Sequence, residues 1–191
     1  MILWPKKCLS YKSMIAGVDE VGRGCLAGPV VAASVILKNP IQGIKDSKKL
    51  SPKRREQLSF EIMEKSIFGI GIATNQEIDE MNILQASLLA MRRSLENLDI
   101  KPKKVLVDGM HIFKTSIEIE PIVGGDNLVP SISAASIIAK VYRDKLMTEY
   151  SKEFPNFEFQ KHKGYPTTLH REMLRKYGST RIHRKTFRGV N

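Results

Sequence analysis

The clearest pattern in the chain is an apolar, β-prone run, Ile15-Ala16-Gly17-Val18. It leads straight into two carboxylates, Asp19 and Glu20, and then into the turn Gly22-Arg23-Gly24. Successive strand side chains point to opposite faces, so Asp19 and Glu20 are expected to share a site only if the strand ends between them. A second apolar run over residues 26–37 predicts a buried strand entered through Gly28-Pro29, and so short a connection predicts antiparallel pairing with the first. Ser51-Pro52 reads as the N-cap and first residue of a helix over about 52–65. Residues 66–74 alternate apolar with small residues, a strand whose glycines allow close packing. A short helix is expected over 76–81 and a clearer one over 82–98, where Ile83, Ala86 and Leu95 fall near helical spacing. Val105-Leu106-Val107-Asp108-Gly109 reads as a short buried strand, and 117–123 as another, followed by Gly124-Gly125-Asp126. A long helix over about 131–154 and a last one from Pro166 or Thr167 to Tyr177, ended by Gly178, complete the pattern.

Three β runs thus each lead to a glycine-flanked acid, and ligand sites in open α/β sheets gather at strand ends. The long helix carries an apolar stripe, Ile132, Ala135, Ala139, Tyr142 and Leu146. Ser133, Ser136, Lys140 and Arg143 form a second stripe on a different face, either phosphate-facing or simply solvated. Ser47 and Lys48 read either as phosphate contacts or as polar residues approaching a helix.

Composition narrows the class. A chain of 191 residues fits one domain with at most a small appendage, and 42% hydrophobic with 27% charged residues is the balance of a soluble globular protein. No apolar run is long enough to span a bilayer, and the short patch over residues 1–7, broken by Pro5, is not a signal peptide. The two cysteines, Cys8 and Cys25, have no metal-binding spacing. Both are expected to stay reduced in the cytoplasm, with Cys25 as a packing residue. Of the net charge of +11, most lies after residue 160, where nine Lys or Arg face one acid, Glu172. This suits a polyanion partner or a solubilising tail. Tyr165, set among those cations, is either a stacking surface for a sugar or base or a packed surface tyrosine. His162 and His183 lack any metal-ligand pattern and read as ordinary polar residues.

Taken in order, six motifs resemble ribonuclease HII, the type 2 ribonuclease H, from about Ile15 to Arg188. They are Gly17-Val18-Asp19-Glu20-Val21-Gly22-Arg23-Gly24, Asp46-Ser47-Lys48, Val107-Asp108-Gly109, Gly125-Asp126, Ser133-Ala134-Ala135-Ser136-Ile137-Ile138-Ala139-Lys140-Val141 and His162-Lys163-Gly164-Tyr165-Pro166-Thr167. The resemblance implies an α/β, ribonuclease H-like fold: a mixed five-stranded sheet flanked by helices, with a C-terminal helical extension. Residues 1–156 would be the catalytic domain and 157–191 a basic substrate-binding extension. It implies endonucleolytic cleavage of RNA in RNA/DNA hybrids and a cut 5′ of single ribonucleotides in duplex DNA, leaving 3′-hydroxyl and 5′-phosphate ends by two-metal catalysis. Asp19, Glu20, Asp108 and Asp126 take the place of the family's catalytic acids and ligands for Mg²⁺ or Mn²⁺. Gly22, Arg23 and Gly24 take that of its ribose-recognising turn, and Tyr165 that of its recognition tyrosine. Phosphate contacts carry over more loosely to Ser47, Lys48 and Ser136.

The same resemblance implies a cytoplasmic monomer without membrane contact, and leaves open whether a sliding clamp docks at the C-terminus. One departure is Gly124, where relatives often have lysine; it removes a cation beside Asp126. The rival reading, a non-catalytic hybrid-binding protein, suits the basic segment but leaves the three glycine-flanked acids unexplained. The type 3 enzyme's extra N-terminal domain has no room in the dozen or so residues before Ile15.

Overall fold

A computed structural model describes residues 14–44 and 50–190; the Asp46-Ser47-Lys48 motif lies outside the described residues. The strands are β1 (Ile15–Val21), β2 (Val30–Leu37), β3 (Ser66–Ala73), β4 (Lys104–Asp108) and β5 (Glu118–Ile122). The helices are α1 (Pro52–Lys65), α2 (Asn75–Met81), α3 (Ile83–Glu96), α4 (Gly125–Leu128), α5 (Pro130–Glu153), α6 (Phe159–His162) and α7 (Thr168–Tyr177). The strands form one mixed sheet in the order β3-β2-β1-β4-β5. The β1–β2 and β2–β3 pairs are antiparallel, whereas β1–β4 and β4–β5 are parallel.

Strand alternation sorts β2 between two cores. Val30, Ala32 and Ile36 face α3 through Ala86, Ala90 and Met91. Val31, Ala33 and Val35 face α1 and α5 through Leu58, Ile62, Ala134 and Ile138. With both faces covered, the strand reads as a continuous apolar run rather than an alternating one. Gly17 sets the height of α5 above β1: a Cβ there would lie 2.2 Å from Ile132 N, so only a bare backbone lets the helix approach so closely. Cap chemistry fixes several helix ends. Ser51 accepts from Arg54 N, Thr74 and Glu77 form a capping box, and Gly178 ends α7.

Three expectations need correcting. β2 begins at Val30 rather than residue 26, because residues 26–28 are used elsewhere. Leu26 N donates to Gly164 O, Ala27 bridges His183, and Gly28 N donates to Ile182 O. On α5, Tyr142 is exposed, while Ser133 and Arg143 of the supposed polar face are buried. The helix outruns the sheet, and its second half packs on a third core built from Leu26, Met147, Phe157, Phe159, Leu174 and Ile182. The basic C-terminal segment is therefore folded onto that core and is no loose tail. Among the described residues, no helix is long and apolar enough to cross a membrane.

Candidate active site

The acids gather at one end of the sheet. Val18 pairs with Val107, which sets Asp19 level with Asp108 at the end of β4. Contrary to expectation, β1 does not end between Asp19 and Glu20: the ladder continues to Val21 opposite Val31. β4 stops level with Asp19, so Glu20 lies beyond the neighbouring strand's end, where its carboxylate has room beside the site. Asp19 and Glu20 each interact electrostatically with Asp108. Asp126 sits not at a strand end but inside the single turn of α4. Its amide donates to Asp108 Oδ1 at 3.2 Å, and its own carbonyl accepts from Ser133 Oγ. The turn that carries Asp126 is thus tied both to β4 and to the start of α5.

These carboxylates are short of counter-charge. Asp19 is 6% exposed, and burial, reinforced by the neighbouring Glu20 charge, pushes its carboxyl up to about 8. Hydrogen bonds from Ser136 and from the Glu20 amide (2.7 Å) oppose that rise. Burial also raises Glu20, against the pull of Arg23, whose Nη1 lies 3.2 Å from Glu20 Oε1. The Ser136 side chain reaches Asp19. Among the described residues, no three acidic, histidine or cysteine side chains are grouped closely enough to hold a metal ion. Asp19, Glu20 and Asp108, near enough to interact, offer only oxygen donors, a chemistry that suits a hard divalent cation and gives zinc no sulfur or imidazole.

Beside the acids stands the Gly22-Arg23-Gly24 turn. Arg23 and Gly24 are exposed, while Gly22 adopts φ +98° over the Arg143 guanidinium, which occupies the space a Cβ would need. Arg143, fully buried, donates to the carbonyls of Pro29 (2.9 Å), Lys163 (2.8 Å) and Ala27 (3.0 Å). Its guanidinium carbon and Lys140 Nζ lie 5.9 and 5.7 Å from the Tyr165 ring centre, and the tyrosine hydroxyl meets the Cys25 thiol.

The backbone of the Tyr165 loop is held by three buried histidines, His162 and His183, which read as ordinary polar residues in the sequence, and His170. Their tautomers follow from their partners. His183 Nδ1 accepts from Thr180 N at 2.9 Å, so its proton is on Nε2 and points at His170 Nε2, 3.0 Å away. His170 must then carry its proton on Nδ1, which donates to Tyr165 O at 2.9 Å. His162 donates from Nε2 to Phe157 O and stacks on His170 with ring centres 4.3 Å apart. Burial holds His170 and His183 down to about 4. Below pH 6.5 the unfolded rings take up protons that the folded ones refuse. The rings' contribution to stability is therefore complete above pH 6.5 and is lost as pH falls through about 4, on the order of 3 kcal/mol for each ring. Asp19, with a folded value above its unfolded one, has the opposite sign, so the histidines are best followed directly. Nitrogen NMR should show His170 and His183 still neutral at pH 5 with the tautomers just given; rings charged at pH 6 would contradict the arrangement.

Sequence reasoning missed Arg143, His170 and Arg184 as parts of this framework. All three are fully buried, yet each lies in a stretch that reads as polar.

The model of the ribonuclease HII family matches residues 16–190. A ribonuclease HII from Polaromonas sp. is 54% identical over 180 residues, covering 93% of this chain and 90% of its own. The crystal structure of the ribonuclease H2 from Pyrococcus horikoshii superposes with a TM-score of 0.79 at 30% identity, covering 92% of this chain and 94% of that one. The ribonuclease HII solved as a PCNA complex from Archaeoglobus fulgidus gives 0.68 at 28% identity, with coverages of 85% and 86%. The acids at the sheet's end, the glycine-arginine-glycine turn beside them and these likenesses agree: the chain belongs to the ribonuclease HII family, metal-dependent endoribonucleases that act on the RNA strand of RNA/DNA hybrids.

Proposed function

We propose that the protein also cuts duplex DNA on the 5′ side of a single embedded ribonucleotide, leaving 3′-hydroxyl and 5′-phosphate ends. The observation that carries this reading is the Gly22-Arg23-Gly24 turn, exposed at Arg23 and Gly24, with Arg23 Nη1 3.2 Å from Glu20, which itself interacts with Asp108. The 2′-hydroxyl is the group that separates RNA from DNA at one position. A turn with two glycines brings backbone donors and acceptors close to it, next to where the scissile phosphate would lie.

Asp19, Glu20, Asp108 and Asp126 would hold two Mg²⁺ or Mn²⁺ ions. Ions held there would neutralise the phosphate and lower the pKa of a water for attack on it. The chain's own part is to orient. Ser136 and the Glu20 amide fix the Asp19 carboxylate, and the Asp126 amide fixes Asp108. The Tyr165 ring, half-buried and backed by Arg143, would pack on the sugar next to the ribose. Residues 157–191 act on this reading as a substrate-binding extension. The likeness to an enzyme solved with PCNA supports a sliding-clamp contact for this chain too.

The direct test is a duplex carrying one ribonucleotide, incubated with Mg²⁺ or with a chelator, and the cut bond mapped. Cleavage 5′ of the ribonucleotide in Mg²⁺ alone, with the all-DNA duplex intact, is the expected result. Tyr165→Ala should lose about 10- to 100-fold on this substrate, the worth of one aromatic contact, and Tyr165→Phe far less. If both variants keep full activity and preference, the tyrosine does not read the site.

A further inference from the structure

We propose that Arg184 is the positioning residue for ribose recognition: from the far end of the chain, its guanidinium fixes the peptide planes of the Gly22-Arg23-Gly24 turn so that the turn's amides face the substrate. This rests on the reading of that turn as the ribose reader. Arg184 is fully buried and donates from Nη2 to Gly22 O at 2.7 Å, from Nη1 to Arg23 O at 2.8 Å and from Nε to Gly28 O at 2.9 Å. In a trans peptide the carbonyl and the following N–H point in opposite directions. Drawing the Gly22 and Arg23 carbonyls inward therefore turns the amides of Arg23 and Gly24 outward. Both residues are exposed, and neither amide has an acceptor within the described chain.

The turn's own hydrogen bond, Cys25 N to Gly22 O, is long at 3.4 Å and leaves the Arg23 carbonyl unheld. Two of its three residues are glycine, and Gly22 sits at φ +98°, a region glycine enters freely but does not prefer. The constraint is imposed from outside, and it needs a planar fork. A lysine ammonium could keep the charge but not hold three carbonyls in fixed directions. Burial lowers the Arg184 guanidinium only to about 10, so the fork is charged at neutral pH.

The chain also fixes Arg184 in turn. Its own amide donates to Leu26 O at 2.9 Å, and its guanidinium lies 5.0 Å from the Phe187 ring centre. From the other side, Asp79 on α2 accepts from Lys185 N and Thr186 N, both at 2.9 Å, and Asn75 donates to the carbonyls of Arg181 and His183. α2, which holds no residue of the candidate site, thereby bears on how the ribose is read.

The test measures preference rather than activity alone. In the cleavage-silent Asp19→Asn protein, affinity for a duplex with one ribonucleotide is compared with that for the same duplex in all-DNA form. Adding Arg184→Lys should shrink this preference by about fivefold or more, the worth of one well-placed hydrogen bond, with affinity for all-DNA duplex changed less than twofold. An arginine that merely stabilised the fold would lower both affinities together. Retention of the preference in Arg184→Lys overturns the proposal. If Arg184→Lys melts below the assay temperature, Asp79→Asn takes its place: it should weaken the preference by about twofold, and an unchanged preference there overturns the proposal equally. A parent protein with no preference at all would instead defeat the ribose-reading turn, a separate failure visible before any Arg184 variant is made.

Discussion

Asp19→Asn is expected to lower kcat/KM by about 10³-fold or more while leaving affinity for an RNA/DNA hybrid within about twofold. The substitution keeps the side chain's size. It removes the charge and replaces one ligating oxygen with an NH₂ group that cannot bind a cation. The remaining oxygen can still accept the Glu20 amide, so the local backbone has no reason to move. On the proposed reading, hybrid affinity would rest on the turn, on Tyr165 and on cations elsewhere, none of which the change touches. A second effect separates loss of chemistry from loss of structure. Asp19 is buried beside two further acids, and in metal-free protein that burial, with the Glu20 and Asp108 charges, penalises its ionised form. A neutral amide escapes that penalty, so metal-free Asp19→Asn should melt at a higher temperature than its parent, the usual sign of a site that sacrifices stability for function. Persistent cleavage, or a lower melting temperature, would contradict the role assigned to Asp19.

The second large effect is on stability. Arg143→Met should cost about 3–5 kcal/mol and lower the melting temperature by roughly 10 °C. Methionine matches the length of the arginine stem, so apolar packing is nearly conserved. What goes is the donor set for three buried carbonyls, those of Ala27, Pro29 and Lys163, and each buried acceptor left without a partner costs about 1–3 kcal/mol. Some of the loss is returned, because Arg143 and Arg184 lie near enough to repel each other. Those carbonyls belong to two segments, 27–29 and the loop around Lys163, so the substitution should loosen their contact before it disturbs the sheet. Hydrogen exchange would show protection falling first at Leu26 and Tyr165. A melting temperature within about 2 °C of the parent would mean that water or rearranged side chains satisfy the carbonyls.

Arg143 also marks the boundary of what the sequence discloses. The sheet was legible because β1, β2 and β3 are apolar runs with turn residues between them, and because Ser51, Thr74 and Gly178 cap helices by local chemistry. The four acids were legible because each follows a β run and is flanked by glycine. Helical periodicity failed in the second half of α5, where it placed Tyr142 inside and Arg143 outside. A pattern of residue types registers that arginine is charged. It does not register that carbonyls from positions more than a hundred residues away will gather around it. Residues 26–29 were misjudged for the same reason: their hydrogen bonds run to residues 164 and 182–184, far along the chain. Alternation along β1 likewise said nothing of where β4 stops, and it is that end that lets Asp19 and Glu20 serve one site.

The span between Arg184 and the turn it holds has a bearing on biosynthesis. Some 160 residues separate the guanidinium from the carbonyls of Gly22 and Arg23. All five strands, the last ending at Ile122, are synthesised well before residue 184, so a nascent chain can assemble its sheet before the carbonyls of Gly22 and Arg23 gain the guanidinium that fixes them.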